Sequence, residues 1–190
     1  MSSSYDDFPL QQAKQIKMLV LDVDGVMTEG KVEMDHNGDE SKAFNVRDGH
    51  GIKMLQRTGI KVAILTGRNS RVVEHRARDL GIDFVVQGSL RKADGLKQLC
   101  EEAGIASHEC AYMGDDVIDL PAMEACSLTM APMDAHRGVL KRVDWVSAYA
   151  GGRGAVRQAA EGLILAAGCW EKVVSEAYGV SPEDCGWPKF

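Results

Sequence analysis

From Met18 onward, short runs of β-branched and other apolar residues alternate with longer amphipathic stretches, the pattern of strands joined by crossover helices. The runs are MLVLDV (18–23), KVAILT (61–66), DFVVQ (83–87), ECAYMG (109–114), SLTMA (127–131) and DWVSA (144–148). Between them, HGIKMLQRTG carries Ile52 and Leu55 at helical spacing and stops at Gly59, and SRVVEHRARDLG carries Val72, Val73, Arg76 and Leu80 before Gly81. This order predicts an α/β fold, a doubly wound and mostly parallel sheet with helices on both faces.

One segment breaks the alternation. Residues 30–47, GKVEMDHNGDESKAFNVR, alternate apolar and polar on both sides of His36-Asn37-Gly38. Asn-Gly tolerates positive φ, so the segment reads as a β-hairpin projecting after the first strand. Residues 1–15 read as a loose N-terminal arm, 16–168 as one domain and 169–190 as a C-terminal extension. In the extension, Trp170, Trp187 and Phe190 suit a subunit contact, while core packing of Trp170 with a disordered end suits the same residues equally. Gly151 to Gly154 read as a flexible link into a final helix rather than a phosphate loop.

Composition changes this picture mainly by exclusion. A chain of 190 residues can bury one substantial core. No uninterrupted apolar run reaches about 18 residues, so a membrane span is not expected. The opening MSSSYDDFPLQQAKQ lacks a signal-peptide layout, which points to the cytoplasm. Net charge is −6 and the basic residues are scattered, which argues against nucleic acid as a partner. The five cysteines are odd in number and show no CxxC pairing, so buried reduced thiols are expected rather than disulfides or zinc.

The candidate chemistry lies at the strand ends. Asp22 and Asp24 are two residues apart on the first run and share a side of the strand. Alone, such a DxDG is more often a solvated turn. The next run, however, ends in Thr66-Gly67-Arg68, a helix opens near Lys92, and a later run ends in Gly114-Asp115-Asp116-Val117-Ile118-Asp119. Ligands in open α/β sheets bind outside the carboxyl ends of the strands, so all four groups converge on one crevice. Its crowded carboxylates would repel a phosphate dianion unless a hard cation such as magnesium intervened. With that charge offset, Asp22 is a candidate nucleophile, Thr66 and Lys92 would hold phosphoryl oxygens, and Asp24 would serve as acid and base.

The segments DVDGV, TGR, Lys92 and GDDVID together resemble the four motifs of the haloacid dehalogenase superfamily of phosphotransferases. Within it, KAFNVRDGHGI (42–52), TGRNSRVVEHR (66–76) and AGGRGAVR (150–157) resemble the 3-deoxy-D-manno-octulosonate 8-phosphate phosphatase family, over roughly residues 17–168. The resemblance implies Mg2+ held by the Asp22 carboxylate, the Asp24 backbone carbonyl and Asp115. It implies substrate contacts from Asp24, Asn45, Val46, Arg47, Asp48, Gly49, Arg68, Arg76, Lys92 and Asp116. The substrate would be a sugar-acid phosphate of lipopolysaccharide inner-core synthesis, hydrolysed through an aspartyl-phosphate on Asp22. Arg suits its carboxylate, although Arg76 has a second possible partner in Asp79.

Only a hairpin and one helix separate Asp24 from Thr66, and only a helix and a strand separate Thr66 from Lys92, so no cap domain fits. For such an open crevice the resemblance implies a homotetramer in which hairpins pack together and neighbours close each site, with Arg47 and Gly151 to Gly154 reaching across. A nine-carbon sialic-acid-type 9-phosphate is an alternative substrate, and a non-catalytic assembly module is an alternative role for the fold. A phosphorelay receiver shares the residue types, but there the acidic pair precedes the accepting Asp, whereas here DxD comes first.

Overall fold

The computed structural model describes residues 5–188. Six strands, β1 (Met18–Leu21), β4 (Lys61–Leu65), β5 (Phe84–Val86), β6 (Cys110–Met113), β7 (Leu128–Ala131) and β8 (Trp145–Val146), form one sheet in the order β5-β4-β1-β6-β7-β8. Every pairing in it is parallel. Helices α1 (Leu10–Ala13), α2 (Val46–Gln56), α3 (Arg71–Leu80), α4 (Lys92–Ala103), α5 (Leu120–Met123), α6 (Arg137–Leu140), α7 (Ala155–Ala166) and α8 (Glu176–Tyr178) complete the α/β fold. None of the helices in the described residues is long and apolar enough to cross a membrane.

The strands are apolar on both faces because both are covered. Leu19, Leu21, Val62, Ile64, Ala111 and Met113 point into a core shared with α2, α3 and α7. Met18, Val20, Ala63, Leu65, Cys110 and Tyr112 point into a second core with α4, α5 and α6. This period of two within near-continuous apolar runs is what a doubly covered parallel strand requires. The register sets Leu21 beside both Ile64 and Met113, so the three central strands end within one residue of each other. The residues that follow, Asp22, Thr66 and Gly114-Asp115, therefore leave the sheet at one edge, where the chain order switches sides.

The hairpin is present but short. β2 (Glu33–Met34) and β3 (Glu40–Ser41) pair antiparallel over two residues each. Asp35 Oδ1 closes the turn by accepting from Asn37 N at 2.8 Å and Asp39 N at 2.9 Å. Val46 and Arg47, placed by the alternation at the hairpin's end, instead open α2, because Asn45 caps it by accepting from Arg47 N at 2.8 Å.

Two further expectations, the loose arm and the flexible link, are corrected, and of the two readings open for the extension core packing of Trp170 is the one observed. The N-terminal arm is packed from Phe8 onward. Phe8 is buried, edge-on to Trp145 at 5.1 Å and to Trp187 at 5.6 Å, and rests on Gly162 of α7. The C-terminal extension contributes Trp170, Val173, Val174 and Trp187 to the same core, and Trp187 Nε1 donates to Glu161 Oε2 at 3.0 Å. Phe190 lies outside the described residues. The glycine-rich turn is a packed contact rather than a flexible link. Gly152 N donates to Val26 O at 2.9 Å and Gly151 N to Asp134 Oδ1 at 2.9 Å. A β-carbon at Gly151 would collide with the Gly25 carbonyl, so only glycine lets the two backbones meet.

Phe8 thus joins both chain ends to one aromatic cluster. Phe8→Ala is expected to lower unfolding stability by about 3 kcal/mol and to alter the tryptophan emission of the folded state. Urea titration followed by fluorescence checks this, and an unchanged midpoint would show that the arm is not anchored.

Candidate active site

At the edge of the central strands, Lys92 is almost fully buried at the first position of α4. Its ammonium donates to Leu65 O at 2.8 Å, Asp119 Oδ1 at 2.9 Å and Tyr112 Oη at 3.5 Å, and lies 2.9 Å from Asp22 Oδ1. A buried ammonium is tolerated only when it is surrounded by acceptors in this way. Tyr112 also donates to Asp119 Oδ1 at 2.9 Å, and burial beside two carboxylates holds its phenol pKa well above the ordinary value.

Asp119 is fully buried and binds in two directions. Its Oδ1 serves Lys92 and Tyr112, while its Oδ2 accepts from Asp115 N at 3.1 Å and Asp116 N at 3.3 Å. The loop that carries Asp115 is therefore tied to the lysine through one carboxylate. Asp116 Oδ1 accepts from Val117 N at 2.7 Å and so caps the short turn that follows. Thr66 is buried one residue beyond β4, and its hydroxyl oxygen accepts from Arg68 N at 3.4 Å.

Carboxylate oxygens of Asp22, Asp115 and Asp119 lie within 4.8 Å of one another. Burial, then the charge of Asp119, raises the Asp22 pKa to about 6, an effect that Lys92 only partly offsets. Burial, then the charges of Asp22, Asp119 and Asp116, raises Asp115 to about 7. Asp22 Oδ1, despite its proximity to Lys92, accepts no well-directed hydrogen bond. Gly25 has φ +90°, and a β-carbon there would strike the Asp115 carboxylate, so the loop after β1 closes directly onto it. Three convergent acidic groups with oxygens so close together fit a small divalent cation with oxygen ligands. Asp119, already saturated with donors, fits the supporting role better than that of a ligand.

Asp24 stands on the other side of the crevice. Its Oδ1 accepts from Lys42 Nζ, and its Oδ2 lies 3.8 Å from Arg68 Nε. Lys42 and Glu40 were not singled out from the sequence, although the alternation of Glu40-Ser41-Lys42 puts both on one side of the strand.

Several expected substrate contacts are committed within the chain. Asp48 is buried, and its carboxylate accepts from Arg157 N at 2.8 Å and Gly154 N at 3.3 Å, which corrects its expected role to that of a cap on α7. Asn45, besides capping α2, donates to Gly152 O at 3.1 Å. Arg76 pairs with Asp79 at 2.7 Å, lies 5.5 Å over the Phe44 ring and packs against Gly49. Val46 is exposed, and Arg47 lines a separate cavity of about 390 Å³ with Tyr149, Arg153 and Arg157. Sequence spacing could not show this division, because the first turn of a helix points side chains toward whatever packs on it.

Comparison with known proteins accounts for this arrangement. The model of haloacid dehalogenase-like hydrolases matches residues 39–127. The chain is 46% identical to 3-deoxy-D-manno-octulosonate 8-phosphate phosphatase KdsC of Escherichia coli K12 over 159 residues, 84% of this chain and 85% of that one. The crystal structure of the phosphatase of that name from Yersinia pestis superposes with a TM-score of 0.84 at 42% identity, covering 87% of this chain and 89% of that one. That from Moraxella catarrhalis, in complex with magnesium, phosphate and KDO, superposes with a TM-score of 0.85 at 35% identity, covering 88% and 97%. The protein is a hydrolase of the haloacid dehalogenase type and belongs to the 3-deoxy-D-manno-octulosonate 8-phosphate phosphatase family.

Proposed function

We propose that the protein hydrolyses 3-deoxy-D-manno-octulosonate 8-phosphate to the free sugar acid and phosphate through an aspartyl-phosphate on Asp22. The observation that carries this reading is the buried Asp22 carboxylate at the end of β1, held 2.9 Å from the Lys92 ammonium and within 4.8 Å of the Asp115 and Asp119 carboxylate oxygens. Asp22 displaces the C8 oxygen at phosphorus, and Asp24 gives the departing alkoxide its proton. Water then attacks the phosphorus, transfers a proton back to Asp24, and the bond to Asp22 breaks. Lys92 and Thr66 hold the phosphoryl oxygens through both steps. The Asp22 carboxylate, the Asp24 backbone carbonyl and Asp115 would hold Mg2+, which supplies charge neutralisation for the incoming dianion and the transferring group. The five free thiols suit a reducing compartment, and we place the reaction in the cytoplasm, at the inner-core stage of lipopolysaccharide synthesis.

We read Arg68, half-exposed beside Asp24, and Asp116, at the mouth of the turn after β6, as contacts of the sugar. The rim carries exposed apolar side chains, namely Val32 and Met34 on the hairpin and Leu90, Val117 and Met133 on the surrounding loops. Such a collar suits burial against other subunits. We therefore read the active form as a homotetramer whose hairpins pack together and whose neighbours, through Arg47 and the turn at Arg153, close each crevice.

Asp22→Asn is expected to abolish magnesium-dependent phosphate release, and Asp24→Asn to lower kcat by about 10²–10⁴-fold, measured on the octulosonate phosphate. Turnover surviving the first change would sink the mechanism. Protons and metal compete for the same oxygens, because carboxyls with pKa near 6 and 7 are partly protonated in the metal-free protein at neutral pH. Magnesium affinity should therefore fall as pH drops from 8 to 5.5, with proton release on binding. Calorimetry in buffers of different ionisation enthalpy reads this, and a pH-independent affinity contradicts it. Met34→Glu should shift light-scattering mass below that of the tetramer and raise KM. A wild-type monomer with full activity overturns the subunit-closed site.

A further inference from the structure

Asp24 belongs to a closed ring of ion pairs that the reaction scheme does not use. Lys42 Nζ contacts Asp24 Oδ1 and lies 2.9 Å from Glu40 Oε1. Arg68 Nη2 lies 3.1 Å from that same Glu40 oxygen, and Arg68 Nε lies 3.8 Å from Asp24 Oδ2. The two cations differ in one decisive respect. The Lys42 side chain is 1% exposed, whereas that of Arg68 is 49% exposed.

A flexible surface lysine would normally keep its ammonium in water, because desolvation is costly and side-chain freedom is lost. Lys42 gives up both, and its stem lies at the base of the hairpin rather than in the apolar core. Two carboxylates on opposite sides hold it. One, Glu40, comes from the hairpin itself, and the other is the acid/base candidate. Arg68 touches the second oxygen of Asp24 loosely and from the solvent side, where an anionic ligand could draw it away.

We propose that Lys42, backed by Glu40, is a positioning residue for Asp24. It fixes one carboxylate oxygen by a buried contact and aims the other at the position shared by the leaving oxygen and the attacking water. The hairpin is then a brace for the acid/base group as well as an assembly element. This inference rests on the reading of Asp24 as acid and base, and its test separates the two.

The test uses the magnesium-loaded full chain, the octulosonate phosphate, and p-nitrophenyl phosphate, whose leaving group needs no proton. Lys42→Met should lower kcat on the sugar phosphate by about 10²-fold, toward the lower end of acid/base contributions, with KM changed less than about threefold. On p-nitrophenyl phosphate it should spare the initial burst of nitrophenolate but slow steady turnover, so that acid-quenched phosphoenzyme accumulates. Lys42→Arg should restore most of the turnover, and Glu40→Gln should show the same pattern more weakly. If Lys42→Met does not fold, Glu40→Gln decides the matter by the same readouts. An unchanged kcat in these variants, beside a large loss in Asp24→Asn, overturns the positioning role and leaves the acid/base reading intact. A rise in KM alone, or an equal loss on both esters without phosphoenzyme accumulation, overturns it too. Full activity in Asp24→Asn overturns the reading beneath it.

Discussion

The buried ion pair between Lys92 and Asp119 is the contact on which the site depends. An ammonium enclosed at the edge of a parallel sheet is unstable unless every direction offers an acceptor. Here Leu65 O comes from the end of β4, Asp119 from the turn after β6, Tyr112 from β6 itself, and Asp22 from the end of β1. One cation thus reports on three strand ends at once. Asp119 extends the constraint by holding the Asp115 and Asp116 amides with its other oxygen. Displacement of the lysine would leave two buried carboxylates unpaired and would free the loop that carries Asp115.

The same contact explains why acidic groups can be crowded where a dianion must bind. With one ammonium among Asp22, Asp115 and Asp119, burial and mutual repulsion push two of the three toward their protonated forms. On the proposed reading a divalent ion would reverse that tendency, since oxygens of all three lie within 4.8 Å of one another. Folding therefore assembles a cluster that is unfavourable by itself and that a bound cation would relieve. That is the usual relation between local strain and function.

How much of this could be read from the chain alone follows from the range of each interaction. The six strands were legible because parallel strands covered on both faces leave long apolar runs, and the strand-end residues because DxDG, TGR and GDDVID mark where those runs stop. What was not legible depends on direction in space. Asp48 sits among residues expected at a substrate, yet α7 begins against it and its carboxylate turns to satisfy Gly154 and Arg157. The N-terminal arm lacks periodicity because α1 has four residues, and a single aromatic ring, Phe8, anchors it. Lys42 was missed because it looks like any exposed hairpin lysine until Glu40 and Asp24 are seen on either side of it.

Two charge networks of different character face each other across the crevice. The one around Lys92 is buried and built on strand ends, so its geometry is fixed before any ligand arrives. The one around Asp24 includes a half-exposed arginine with a long contact and a hairpin held by only two residue pairs. A phosphoryl group needs the first kind of environment, since its charge must meet donors already in place. A proton carrier serving first a leaving alkoxide and then a water needs the second, because its partners change between steps. The absence of a cap concentrates that adaptable side on the hairpin. The same short element then carries both exposed apolar residues and the ion pairs that hold Asp24, so on the proposed reading assembly and acid/base geometry would be coupled through it.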